Sequence, residues 1–411
     1  MTDPSRRIAF DILKAVESEG AFSNILLNRK LQTAEGADAA FVRRLVHGVL
    51  KNRTLLDSQI DRYLRKGGIK VPARILLRMG FYQLALCEDV PDHAAVSETV
   101  ALAKQAFRGG EGFINAVLRS FVRDGKRLVF PEDLSVRYSM PSWIVRLWTE
   151  SYGEEKTRQL LEASLEEAPL CLRINPLKAQ ENYVPDVSGG IAASAGYRSG
   201  LFSVQDASSQ EAIRILDPRP GERVLDVCSA PGGKTCAMAE RMENRGSIKA
   251  CDLHENKLPL IEKEAKRLGI SIVTTCVRDG CEPPDPQEIE AFDAVLCDAP
   301  CSGLGVLRRK PEIKWRLTEE ELRSLPGTQL RILKNAAACV RKGGRLLYST
   351  CTVDPLENER VTEAFLSDGS FDKVCERQIF TGETINNSKG DGFYVCLMRK
   401  KIYDQRWIQD R

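Results

Sequence analysis

From Gly221 onward, short apolar runs ending in small or acidic residues alternate with helical stretches, and this rhythm restricts the fold of the 411-residue chain more than any other feature. The runs are "RVLDVCS", "SIKACDL", "SIVTTCV", "FDAVLCD", "GGRLLYSTC" and "FYVCLMRK". Near-continuous apolar runs suit strands covered on both faces, and strands joined through helices pair in parallel. The expected fold is α/β, with a doubly wound, Rossmann-like sheet at the C-terminus. Such sheets bind ligands beyond the carboxyl ends of their strands, so the residues just after each run hold the functional information.

The chain is too long for one ordinary domain. Residues 1–128 read as all-helical: "RRIAFDILKAVE", "AAFVRRLVHGVLKNRTLLDSQIDRYL", "VPARILLRMGFYQLAL", "HAAVSETVALAKQAF" and "GFINAVLRSFV" repeat apolar residues at three- and four-residue spacing. Residues 129–220 read as linker helices followed by a small α+β module built from "APLCLRINPLKA" and "GLFSVQDASSQEAIRIL". Within it, Arg173 and Asn175 are either a strand-end binding pair or a turn before Pro176. The sheet domain occupies 221–411.

Composition excludes several classes. With 43% hydrophobic and 28% charged residues the chain is neither disordered nor membrane-like, and no run reaches the length of a membrane span or a secretion signal. A cytoplasmic protein without a membrane partner is expected. Thirteen cysteines, an odd number, point to reduced thiols, and with no C-x-x-C pair and three scattered histidines (His47, His93, His254) no metal site is expected. Residues 1–128 carry 21 basic against 14 acidic residues, while the remainder carries 39 against 43. That excess suits a polyanion or a solvated basic face, with Arg43, Arg44, Lys51 and Arg53 as candidates for phosphate contact.

The first strand runs into "CSAPGGKT" (Cys228, Ser229, Ala230, Pro231, Gly232, Gly233, Lys234, Thr235), a tight turn opening a helix whose first N–H groups are unpaired. A phosphate-binding P-loop needs glycine where Cys228 stands, and G-x-G-x-x-G is absent, which demotes ATP and NAD. Asp252 ends the second run, where it can accept from ribose hydroxyls; Asp279 follows the third, where it can meet an adenine amino group. Ribose, adenine and a zwitterionic tail describe S-adenosylmethionine. Cys301 in "DAPCSG" and Cys351 in "YSTCT" also follow strands, whereas Cys228, Cys251, Cys276, Cys297, Cys339 and Cys396 read as small core hydrophobes. Spacing alone does not rank Cys301 against Cys351.

Together, "VLDVCSAPGGKT", "CDLHENKL", "VRDG", "DAVLCDAPCSGLGVLRRKPEIKW", "LLYSTCTVDPLENE" and "DGFYVCLMRK" resemble the RsmB-type RNA cytosine-5 methyltransferases, and "FINAVLR", "YSMPSWIV" and "LRINP" resemble the NusB-like extension and linker of that subgroup. Ser229 departs from the more usual alanine. The resemblance implies that Cys228 to Lys234, Asp252, Asp279 and Asp298 hold S-adenosylmethionine, that Cys351 is the nucleophile and that Cys301 assists release. It also implies methylation of one cytosine in small-subunit (16S) ribosomal RNA, taken as protein-free RNA by a monomer. Carbon 5 of cytosine is a poor nucleophile, so thiolate addition at carbon 6 splits the reaction into easier steps; a protonated, buried Asp298 near ring nitrogen 3 helps if its pKa is raised. The rivals are a DNA cytosine methyltransferase, a non-catalytic RNA-binding assembly factor, and a helical domain that binds protein.

Overall fold

The computed structural model describes residues 3–64, 68–107 and 109–402. It forms two units, Met1–Glu167 with Leu307–Leu317, and Ala168–Val306 with Thr318–Arg411.

In the first unit the apolar stripes read from sequence fold as helices Pro4–Glu19, Ala39–Lys51, Arg53–Asp61, Val71–Leu86, Asp92–Ala106 and Glu111–Arg123. Their buried faces share one core that includes Ile12, Leu45, Leu76, Phe81, Leu118 and Phe121. The single long run expected over 39–64 is two helices. Asn52 leaves helical geometry (φ −107°, ψ 19°) and its side-chain amide donates to Gly48 O, closing the first helix. Helix Ser23–Leu31 was not expected; Leu26 and Leu27 bury on the same core. The long helix Ser142–Leu165 bends at Gly153, which takes φ 78°.

In the second unit Leu172–Ile174 pairs antiparallel with Phe202–Val204. The main sheet has seven strands: β1 Arg223–Asp226, β2 Ser247–Asp252, β3 Val273–Val277, β4 Phe292–Asp298, β5 Val340–Thr350, β6 Phe371–Ile379 and β7 Phe393–Lys400. Their order is β3-β2-β1-β4-β5-β7-β6. The first five pair in parallel, as the apolar runs predict. β7 inserts antiparallel between β5 and β6. β6 escaped the sequence reading because most of its residues are exposed, Asp372, Lys373 and Glu376 among them, as an edge strand permits. The order reverses between β1 and β4, so their carboxyl ends open the crevice where such sheets bind ligands.

Candidate functional site

The loop after β1 is shaped by one glycine. Gly232 adopts φ 102°, and a Cβ there would meet the Cα of Ile261 at 3.0 Å, so a side chain is excluded both by conformation and by space. Gly233 has no such restriction and begins the helix Gly233–Arg241. No side chain caps that helix, which leaves its first N–H groups for an anionic ligand end. The Ala230–Pro231 peptide is cis. Ser229, the departure noted in sequence, is buried and donates to Cys251 O at 2.8 Å, binding the loop to β2.

Asp252 at the end of β2 touches this loop. One carboxylate oxygen accepts from Ala230 N–H at 3.2 Å and the other from His254 N–H at 3.0 Å. Asp279 lies past β3, exposed, with one oxygen accepting from Cys281 N–H at 2.8 Å. Carboxylates beyond adjacent strands and unpaired amides at a helix start fit the ribose, adenine and amino-acid ends of S-adenosylmethionine.

Arg173 serves the loop from behind. Its guanidinium forms a two-pronged ion pair with buried Glu240 (2.7 and 2.9 Å), donates to Gly233 O at 3.0 Å and bonds Gln205. Asn175 is wholly buried and donates to Gly200 O and Leu268 O. Both are scaffold residues, which resolves the two readings left open by "RINP" in favour of structure.

The two singled-out cysteines come together from the ends of β4 and β5, with Sγ atoms 3.3 Å apart and Cys351 N–H donating to Cys301 Sγ at 3.3 Å. Several contacts stitch the two loops. The Ser302 and Thr352 hydroxyls lie 2.8 Å apart, and Gly305 N–H donates to Cys351 O at 3.0 Å. A Cβ on Gly305 would run into Gly392 O and lie 2.9 Å from Cys351 O, so only glycine allows this approach. Buried Glu357 accepts from Ser302 N–H and from the Gln329 amide, both at 2.8 Å, while that amide also reaches Pro300 O at 3.0 Å. Cys301 is thereby held on both sides by Gln329 and Glu357, neither of which the sequence reading named; the run of acids in "TVDPLENE" was the available signal.

Electrostatics separate the two thiols. The hydrogen bond to Cys351, then burial, then charge on Cys351 and Glu357 push the Cys301 thiol well above its usual range, so Cys301 keeps its proton. Lys234 is within electrostatic reach of Cys351. Burial opposes the Lys234 charge, but Asp298, Cys351 and Asp226 outweigh it and hold this ammonium above its ordinary value.

Asp298 at the end of β4 is engaged on both carboxylate oxygens. Its carboxylate oxygens lie 2.8 Å from Lys234 Nζ and 2.7 Å from Ser349 Oγ. These contacts make Asp298 the residue that positions Lys234.

Asp226 at the end of β1 is a second buried acid. Thr235 donates to one oxygen at 2.7 Å, and the other has no partner among the described residues. Burial, reinforced by Asp298, pushes its carboxyl up to about 7. An acid raised in the fold adds stability that is complete below its unfolded value of about 3.9 and is lost as pH rises through about 7. Asp226→Asn removes this titration. The stability of the variant relative to wild type is therefore expected to climb between pH 5 and 7, with a slope of at most about 1.4 kcal/mol per pH unit, and to level off above pH 8. Denaturant melts at several pH values check this, and a pH-independent difference rules it out.

The sheet order, the loop after β1 and the acids at the ends of its neighbours define an S-adenosylmethionine-dependent methyltransferase. Residues 213–408 match the 16S rRNA methyltransferase RsmB/F family, residues 3–123 the NusB family and residues 140–186 an RsmF/B-like ferredoxin-like domain. A probable ribosomal RNA small subunit methyltransferase B of Bacillus subtilis is 36% identical over 96% of this chain and 98% of its own length. The ribosomal RNA small subunit methyltransferase B of Vibrio vulnificus is 32% identical over 96% and 99%. The crystal structure of a methyltransferase homolog protein from Pyrococcus horikoshii superposes with a TM-score of 0.54 at 26% identity, over 65% of this chain and 98% of that one. The chain belongs to the family of ribosomal RNA small subunit methyltransferase B. No described helix is long and apolar enough to cross a membrane.

Proposed function

We propose that this chain methylates carbon 5 of one cytosine in protein-free small-subunit ribosomal RNA in the cytoplasm, through a covalent bond between Cys351 and carbon 6. The observation that carries the reading is the pair of strand-end thiols 3.3 Å apart, one held protonated and the other within reach of the Lys234 ammonium. In this reading residues 221–411 do the chemistry, residues 1–128 bind RNA, and residues 129–220 link them.

S-adenosylmethionine, held by Cys228 to Lys234, Asp252 and Asp279, supplies an electrophilic methyl group. The thiolate of Cys351 adds to carbon 6, which places negative charge on the pyrimidine and makes carbon 5 nucleophilic. Lys234, fixed by Asp298, offers positive charge to that anion. After methyl transfer, carbon 5 must lose its proton before the Cys351–carbon 6 bond can break. The foremost influence holding the proton on Cys301 is Cys351 itself. Once the Cys351 sulfur is bonded to carbon 6 it carries no charge, so that hold weakens, the Cys301 proton can pass to solvent, and the Cys301 thiolate so formed accepts the carbon 5 proton as the Cys351–carbon 6 bond breaks. Glu357 and Gln329 keep Cys301 in place for it.

Bisulfite sequencing of ribosomal RNA from a strain lacking the gene tests the reading. The expected result is the loss of one 5-methylcytosine in 16S RNA, restored by wild-type protein and not by Cys351→Ala. An unchanged cytosine methylation map refutes it.

A further inference from the structure

Helices Asp92–Ala106 and Glu111–Arg123 leave between them a groove of about 790 Å³. Its apolar lining comes from Val96, Val100 and Val122, and its cationic lining from Lys104, Arg119 and Arg123. The spacing puts Val96, Val100 and Lys104 on one face of the first helix, and Arg119, Val122 and Arg123 on one face of the second.

The three cations are exposed, and among the described residues none pairs with a carboxylate. Arg119 donates to Asn115 Oδ1 at 2.9 Å and Arg123 to Ser120 Oγ at 2.8 Å, neutral contacts that leave the charge uncompensated. The carboxylate lining the groove, Asp92, is taken by Lys126 at 2.9 Å. By contrast, of the basic residues that the sequence pointed to, two are paired with carboxylates, Lys51 is buried, and Arg43 is exposed with a neutral contact. Arg44 pairs with Asp89 at 2.7 Å, Arg53 pairs with Glu17 at 3.3 Å, Lys51 bonds Glu166 O at 2.6 Å, and Arg43 bonds Asn28 Oδ1 at 3.3 Å. The groove gathers three such cations on one surface, whereas that helix presents Arg43 alone.

We propose that this groove binds an unpaired segment of ribosomal RNA, its phosphates on Lys104, Arg119 and Arg123 and a base against the valines. This rests on the ribosomal RNA reading above and adds where the RNA is gripped. Arg119 and Arg123 are one helical turn apart, about 6 Å along the axis, which suits neighbouring phosphates of an extended strand. The volume fits one or two nucleotides. An unpaired strand is also the form in which RNA sequence is usually read.

The test compares wild type with Lys104→Ala,Arg119→Ala,Arg123→Ala, using protein-free 16S RNA at 50 to 200 mM salt. All three side chains are exposed, so fold and S-adenosylmethionine affinity, measured in parallel, should persist. The expected result is at least a tenfold loss of RNA affinity and a log–log salt slope shallower by about 2, since each lost phosphate contact on a single strand removes about 0.7. Val100→Asp should weaken binding as well. If wild type binds and methylates the RNA while the triple variant matches its affinity and slope, the groove assignment is overturned and the substrate reading stands. If the triple variant sheds a co-purified protein with RNA affinity unchanged, the groove is a protein-docking surface and the proposal is wrong. If wild type neither binds nor methylates 16S RNA, the substrate reading fails and the groove assignment with it.

Discussion

Cys351→Ala is expected to abolish both methyl transfer and covalent capture of RNA, whereas Cys301→Ala should methylate once and stall with RNA attached. The asymmetry follows from the thiols' separate tasks. Removing a nucleophile from an enzyme that depends on it costs on the order of 10³-fold or more, so the Cys351 variant should fall to background. The Cys301 variant keeps the attacking sulfur and Lys234, so addition and methylation proceed, but nothing takes the carbon 5 proton and the adduct persists. Incubated with RNA and S-adenosylmethionine, it should give a protein–RNA band that survives denaturing electrophoresis. Cys301→Ala,Cys351→Ala should give none, because trapping requires the nucleophile. A band from Cys351→Ala and none from Cys301→Ala reverses the roles. Full turnover by both single variants eliminates the covalent mechanism.

Those two cysteines were legible in the sequence because each follows an apolar run, and a run buried on both faces is hard to mistake for anything but a central strand. The same logic located Asp252 and Asp279. What stayed hidden depends on partners that sequence distance conceals. The pairing of Arg44 with Asp89 spans 45 positions and that of Arg53 with Glu17 spans 36, so two of the cations that looked like a phosphate platform are compensated from elsewhere in their own unit. The partner of Asp298 was hidden for the same reason: its ammonium lies 64 residues earlier, at the start of the helix Gly233–Arg241. Gln329 comes from the long helix Glu319–Cys339, and nothing in that helix's pattern announces that its amide holds Pro300 and Glu357. Polar edge strand β6 left no apolar run to read. Strand ends are therefore local properties of sequence, whereas the charge state of what lies there is a tertiary property.

Lys234→Met should lower the maximal methylation rate by about 10²- to 10³-fold, the scale of losing a preorganised electrostatic contact in a transition state, and move the acid limb of its pH profile to higher pH. Two consequences of one ammonium combine. Within electrostatic reach of Cys351, Lys234 favours the thiolate over the thiol; an uncharged side chain of similar length fills the space but not that role, and the thiolate then forms only in more alkaline solution. On its other side Lys234 neutralises Asp298 at 2.8 Å, and without it that carboxylate faces the developing pyrimidine anion uncompensated. Asp298→Asn,Lys234→Met removes both charges together, so it should recover part of the rate lost in Lys234→Met while keeping the displaced pH profile. A purely structural role for Lys234 predicts the opposite: a lower rate at every pH, an unmoved acid limb and no recovery in the double variant. The pH displacement reports the thiol and the recovery reports the carboxylate, so one set of rate profiles separates the two contributions of a single side chain.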